Sequence, residues 1–243
     1  MAIAACCSTK GGVGKSTLAT ETAGRAAAAG YSTLLVDMDP QEHSAAWTVR
    51  RGGIDGDLAD VEFIRLTAPD GTKPADAVRH LRKQLHSQAQ RYDLVVCDVG
   101  GFDSLELRSA THVANLAVVP IVPSEWNVGA WSRLRAILEE ARMINEALEV
   151  LGVINQVNAH AVAGSRQIAE ARDFLADHFA EDGYRLAGEG AEAIETGALR
   201  SRIVYTRHRE GGYTLAELTG ADYDPRADRE MQAVYEEIIH ALT

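Results

Sequence analysis

The sequence is poor in the features that mark metal-centred, secreted or membrane-spanning chains. It holds 3 cysteines in 243 residues. Cys6, Cys7 and Cys97 all fall in apolar runs, form no C-x-x-C pair and have no histidine at a ligand spacing. They read as buried bystander thiols rather than metal or redox groups. No stretch approaches eighteen uninterrupted apolar residues, and no basic segment precedes the apolar run in MAIAACCSTKGG, so neither a span nor a cleaved leader is expected and the chain is placed in the cytoplasm. Positive charge is also short, with 24 Lys and Arg against 35 Asp and Glu for a formal net charge of -11. Such a surface does not coat nucleic acid as a whole, and any DNA binding must be regional. No internal repeat, low-complexity tract or linker interrupts the sequence, which predicts one domain over residues 1–243.

What is there is an alternation of short apolar runs with helical patterns. Strands are expected at residues 2–7, 33–36, 61–66, 94–97, 116–122 and 150–154, and helices over 17–29 and 74–90, the first of them alanine-rich and stopped by Gly30. Buried strands alternating with helices predict an α/β fold, a mostly parallel central sheet with helices on both faces. In such sheets ligands bind beyond the carboxyl ends of the strands. The glycine loop after the first strand, Asp37 and Asp39 after the second, Asp98 after the strand at 94–97 and Asn155 after a late one all sit at such ends, so one site could collect them.

The loop reads KGGVGKST over residues 10–17. The usual phosphate-loop pattern G-x-x-x-x-G-K-[ST] asks for a glycine five places before Gly14, where this chain has Thr9, and for one lysine, where it has Lys10 and Lys15. Gly11, Gly12 and Gly14 free the backbone N–H groups to curl round phosphate oxygens, and the helix starting near Lys15 points its positive end at the same anion. Lys15 is placed along the β- and γ-phosphates, and Ser16 offers a hydroxyl to Mg²⁺. Asp98, in YDLVVCDVGG, is the Walker B candidate for the metal. Asp37 and Asp39, in LLVDMDPQ, lie two apart and share a face if the strand persists, one to support the metal and the other to hold the attacking water.

KGGVGKST, VDMDPQ and VVCDVGG, in that order, resemble the deviant Walker A ATPases, most closely the small ParA proteins that partition plasmids and chromosomes. The likeness extends to SAAWTVRR after His43, VVPIVPSEW at 118–126 and VYTRHREGGYTLAEL at 204–218. The resemblance implies an ATPase of the P-loop class, with ATP held by the loop from Lys10 through Val13 to Thr17. It implies that Lys10 reaches across a homodimer interface to the partner's ATP, so that occupancy and pairing are coupled and a cation given in trans stabilises charge on the triphosphate. It further implies that Thr17 contacts the α-phosphate, Asp39 orients the hydrolytic water, Ser16, Asp37 and Asp98 support Mg²⁺, and Asn155 reads adenine. Val99, Gly100 and Gly101 stand where many relatives have prolines and suggest a mobile switch segment.

Two surfaces decide the branch. The tail DREMQAVYEEIIHALT carries Met231, Val234, Tyr235, Ile238 and Leu242 at helical spacing with Glu230, Glu236 and Glu237 on the other faces, so it reads as a helix packed on the core and not one lying on anionic lipid. Arg200, Arg202, Arg207 and Arg209 cluster with no acid among them, which suits phosphate contacts to non-specific DNA. No added amino-terminal DNA-binding domain is expected, and operator binding with it. The leading expectation is an ATP-switched, nucleoid-associated partitioning ATPase released by a ParB-like partner. The alternatives are a related ATPase that positions a protein cargo, such as a carboxysome or chemoreceptor cluster, and a metabolic P-loop enzyme of the dethiobiotin synthetase type.

Overall fold

The computed structural model describes residues 1–123, 128–188 and 197–243; residues 124–126 of the VVPIVPSEW stretch lie outside them. Its strands are β1 (Ala2–Cys6), β2 (Thr33–Met38), β3 (Glu62–Arg65), β4 (Leu94–Val99), β5 (Leu116–Ile121), β6 (Glu149–Val157), β7 (Arg185–Leu186) and β8 (Ala198–Arg200). The helices are α1 (Lys15–Ala28), α2 (His43–Arg51), α3 (Pro74–Ala89), α4 (Leu105–Thr111), α5 (Val128–Ile144), α6 (Ala161–Asp182), α7 (Val204–Gly211) and α8 (Pro225–Leu242). Two short 3₁₀ turns, Leu215–Glu217 and Gly220–Asp222, join α7 to α8.

The strands form an 8-stranded sheet in the order β3-β2-β4-β1-β5-β6-β7, with β8 also paired to β6. Every pairing is parallel. The central strands β1, β2, β4 and β5 are buried along their whole length, which is why they read as unbroken apolar runs and not as alternating ones. Alternate residues still serve opposite faces. Ile3, Ala5, Leu34, Val36, Val95, Cys97, Ala117 and Val119 join the core beneath α3, α4, α5 and α6. Ala4, Cys6, Leu35, Val96 and Val118 join the core beneath α1, α2, α7 and α8.

β6 shows how tightly one layer is fitted. A Cβ at Gly152 would stand 2.4 Å from the Phe179 ring of α6, so this position accepts only glycine with that ring in place. Phe179 stacks on Trp131 with ring centroids 5.0 Å apart, and both rings meet Tyr184 edge-on. The acidic tail is α8, and Ala227, Met231, Val234, Tyr235 and Ile238 bury its apolar stripe against the sheet, as the spacing predicts. All three cysteines are free and buried. Burial pushes the Cys7 and Cys97 thiols up to about 12, which makes them inert neutral packing groups.

Candidate nucleotide-binding site

The loop between β1 and α1 is built on left-handed glycines. Gly12 has φ 76° and Gly14 has φ 98°, and Gly14 is the N-cap of α1, with no side-chain cap bond. The first-turn N–H groups of α1 therefore stay open toward the cleft, the arrangement that receives an anion. Lys15, buried at 5% exposure, folds back to donate Nζ to the Lys10 carbonyl at 3.2 Å. The Lys10 N–H in turn donates to Ser8 Oγ at 3.2 Å.

The late strand braces this loop from the side. Asn155 donates Nδ2 to the Val13 carbonyl at 2.7 Å and accepts from the Gln156 N–H at 2.8 Å. Gln156 donates Nε2 to the Gly12 carbonyl at 2.6 Å and holds a left-handed φ of 55°, a conformation that costs a non-glycine residue energy and clusters at functional sites. A Cβ on Gly14 would fall 2.2 Å from the Asn155 amide. The switch segment lies equally close: a Cβ on Gly101 would stand 2.7 Å from the Lys10 carbonyl.

The carboxylates converge from two neighbouring strands. Asp37 and Asp98 are register partners across β2 and β4, and both are fully buried, inside their strands and not beyond them. β2 stops at Met38, so the strand alternation that would put Asp37 and Asp39 on one face does not carry through. The Asp39 N–H donates to Asp37 Oδ1 at 2.9 Å and Asp39 Oδ1 accepts from the Gln41 N–H at 2.9 Å. This turn leaves Asp39 lining the cleft and Asp37 behind it.

Helix α2 grips the same pair. Its Ala45 N–H donates to Asp37 Oδ2 at 3.0 Å, and the buried Ser44 hydroxyl donates to Asp98 Oδ2. Burial raises the Asp37 carboxyl above the usual range and pushes Asp98 up to about 7, against the hydrogen bonds from Ser44 and Ser16. Among the described residues Asp98 Oδ1 is buried with no hydrogen-bond partner. A buried, raised carboxylate with an orphaned oxygen beside Ser16 is what a divalent cation would satisfy, so these residues fit Mg²⁺.

The loop, Lys15, Ser16 and Asp39 line a cleft of about 460 Å³, with Asp37 and Asp98 buried behind it. His43, Asn155, Gln156, Arg200, Arg202, Tyr205 and Thr206 line it as well. Lys10 stands partly buried at the start of the loop. Ser44 and Tyr205 fall in the SAAWTVRR and VYTRHREGGYTLAEL stretches, but no role is expected of them from the sequence, nor of Gln156.

Of the four arginines expected to form a DNA surface, Arg200 and Arg202 do not face outward. Arg200 is 5% exposed, donates Nη1 to the Asn158 carbonyl at 3.1 Å and faces Glu230 at 3.6 Å. Arg202 pairs with Glu230 at 2.6 Å and Asp224 at 3.6 Å. Arg207 is exposed and pairs with Asp222 at 2.6 Å; the Arg209 side chain lies outside the described residues. The acids that neutralise this acid-free stretch come from around α8, and Arg200 and Arg202 turn inward to the cleft. They do not make an outward basic surface.

A left-handed glycine loop leading into a helix, a buried lysine folded over it and paired strand-end carboxylates, all at the carboxyl edge of a parallel sheet, define a P-loop nucleotide-binding protein. The model of the CobQ/CobB/MinD/ParA nucleotide-binding domain matches residues 4–170, more than half of the chain. The chain belongs to that family.

It is 31% identical over 163 residues to the chromosome-partitioning ATPase Soj of Thermus thermophilus, a match covering 60% of this chain and 65% of that protein. The chain thus spans somewhat less than two thirds of that relative's length. Among solved structures it is similar to apo McdA of Cyanothece, with TM-score 0.71 and 15% identity over 98% of this chain and 99% of that one. It is also similar to a putative plasmid partition protein of Borrelia burgdorferi bound to AMPPNP, with TM-score 0.68 and 18% identity over 99% and 97% of the two chains. At these identities the structural likeness establishes the fold.

Proposed function

We propose that the chain is a ParA-like partitioning ATPase. It hydrolyses ATP to ADP and phosphate, pairs with a second copy when ATP is bound, and binds DNA without sequence preference in that state. A ParB-like protein on a plasmid or chromosomal cargo stimulates hydrolysis and release, and the protein works at the nucleoid. The observation that carries this reading is the cleft itself, which brings the open N-terminus of α1, Lys15, Asp39 and the Asp37–Asp98 pair to one place.

In this reading the backbone from Gly11 to Gly14 cradles the β-phosphate and Thr17 meets the α-phosphate. Lys15 exchanges the Lys10 carbonyl for phosphate oxygens. Ser16, Asp37 and Asp98 hold Mg²⁺, which when bound offsets charge on the transferring phosphoryl group. Asp39 orients the attacking water, held in place by the Gln41 N–H. Asn155, Tyr205 and Thr206 lie on the side of the cleft left for the base. Lys10 is donated to the partner's triphosphate, so the transition state is stabilised only in the pair. The partition proteins Soj and that of Borrelia burgdorferi support this reading by sequence and by fold respectively.

The test is retention on random-sequence duplex with Mg-ATP, with ADP and without nucleotide, at several ionic strengths. Retention with Mg-ATP alone, falling steeply with salt, is expected. Retention that ignores the nucleotide contradicts the switch. Turnover raised by a small metabolite, and unmoved by DNA with a partner protein, places the chain among metabolic enzymes instead.

A further inference from the structure

Arg200 and Arg202 are turned in to Glu230 and the cleft, which leaves them poorly placed to meet DNA and directs attention to other basic surfaces. One is present. Residues 73–91 hold five of the 24 Lys and Arg of the chain and one of its 35 acids. They form α3, whose Ala77, Leu81 and Leu85 point into the core. At 100° per residue, Arg79, Arg82, Lys83 and His86 fall on one arc roughly opposite that buried stripe.

Arg79 is 78% exposed at its side chain, and among the described residues the acid it pairs with is Asp76, its own exposed neighbour one turn back, at 3.1 Å. Lys83, His86 and the flanking Lys73 and Arg91 are exposed as well. Arg82 extends the positive face toward α4: burial and the nearby Arg82 and Arg108 guanidiniums hold the His112 imidazole below its usual value, against the opposing pull of Glu140.

We infer that the outward face of α3 is the surface that contacts the phosphates of duplex DNA, an inference that rests on the DNA-binding reading above. The helix is about 24 Å long, with Arg79 and Lys83 about 6 Å apart along its axis, so successive basic side chains can meet successive phosphates of one strand. The contacts are to backbone and carry no base reading. A lipid surface fits less well, because such helices insert a large apolar face, whereas the apolar face of α3 is buried and none of the exposed large apolar residues described in this chain lies on it. The acidic balance of the rest of the molecule then orients DNA toward this one face.

The test compares the full chain with two variants, Arg79→Glu/Arg82→Glu/Lys83→Glu and the milder Arg79→Gln/Arg82→Gln/Lys83→Gln. Fluorescence anisotropy on a labelled random-sequence duplex with Mg-ATP is read from 50 to 300 mM salt, beside ATP affinity, basal ATP turnover and thermal melting. The expected result is at least a tenfold loss of DNA affinity in the Glu variant. The Gln variant should show a shallower slope of log K against log salt, by roughly 2 to 3 for three lost phosphate contacts. ATP affinity, basal turnover and melting temperature should be unchanged in both. If the wild type binds DNA and both variants bind with the same affinity and slope, α3 is not the surface, although the protein remains DNA-binding. If the wild type itself fails to bind duplex at the lowest salt, the DNA-binding reading falls with it. Wild-type binding to phosphatidylserine-containing vesicles in place of duplex would overturn the choice of partner.

Discussion

Lys15 and Asp39 are the residues whose surroundings most constrain the chemistry. Lys15 is held in a buried position against a neutral carbonyl, a poor substitute for the anion that an ammonium prefers in a site with little water. Lys15→Ala should weaken ATP binding by roughly 10- to 100-fold, the loss of charge-assisted hydrogen bonds worth about 1.5–3 kcal/mol, read by calorimetric titration; unchanged affinity removes Lys15 from the phosphate site. Asp39 lines the cleft with its carboxylate held by the Gln41 N–H. Asp39→Ala should bind ATP normally and lose turnover by about 100-fold or more, and brisk hydrolysis by that variant would show that another group holds the water. The placement of both residues at the cleft was legible in the sequence because it depends on local backbone, a glycine turn and a strand end. Ser44 and Gln156 were not, since what makes them matter is the packing of α2 on Asp98 and of β6 on the loop. Arg200 and Arg202 misled for the same reason: their partners Asp224 and Glu230 sit more than twenty residues away.

At the scale of elements, α1 is tied to α7 and α8 by a buried polar chain that no motif announced. Glu21 is fully buried on α1, with His208 Nδ1 of α7 at 3.0 Å, Arg25 Nε at 2.8 Å and the Leu215 N–H at 2.6 Å. Arg25 runs on to Asp228 at 2.5 Å and Gln232 at 2.7 Å on α8. His208 Nε2 meets Thr20 Oγ1 at 3.1 Å, which itself donates to the Ser16 carbonyl at 2.8 Å. The helix that begins at the phosphate loop is thereby fastened to the helix that carries Tyr205 and Thr206 of the cleft lining.

Burial drives the Glu21 carboxyl upward, but His208 and Arg25 outweigh it and leave the group below its ordinary value. A depressed carboxylate contributes stability above its unfolded pKa, near 4.3, and loses it as pH falls through the folded value. Glu21→Gln should therefore cost about 3 kcal/mol in urea unfolding at pH 7, where Arg25 loses the fully buried one of its two acidic partners, and the gap to wild type should close below about pH 4. A constant gap across that range would mean that the charge of Glu21 is irrelevant. The strands β1 to β6 and the helices α1, α3 and α8 were legible from apolar runs and helical spacing. Helices α2 and α4 are only 9 and 7 residues long and β7 only 2, too short for periodicity to declare them.

For the molecule as a whole, the parallel sheet followed from the alternation of runs, because a strand buried on both faces has to be apolar throughout. The order of the strands did not, since it depends on how crossovers pack, and with it was hidden the pairing of Asp37 with Asp98. Charge was also misread at this scale. Net charge is a sum over the surface, and an acidic total concealed the basic face of α3 while the inward-turned arginines looked like a patch.

The proposed coupling of ATP binding to pairing requires Lys10 to complete the site of a second copy. Sedimentation velocity of the wild type and of Lys10→Ala, each with and without Mg-ATP, tests it most directly. The wild type should shift from monomer to dimer on adding ATP. Lys10→Ala should bind ATP and stay monomeric. An ATP-dependent dimer of Lys10→Ala as stable as that of the wild type would contradict the donated lysine and the coupling built on it.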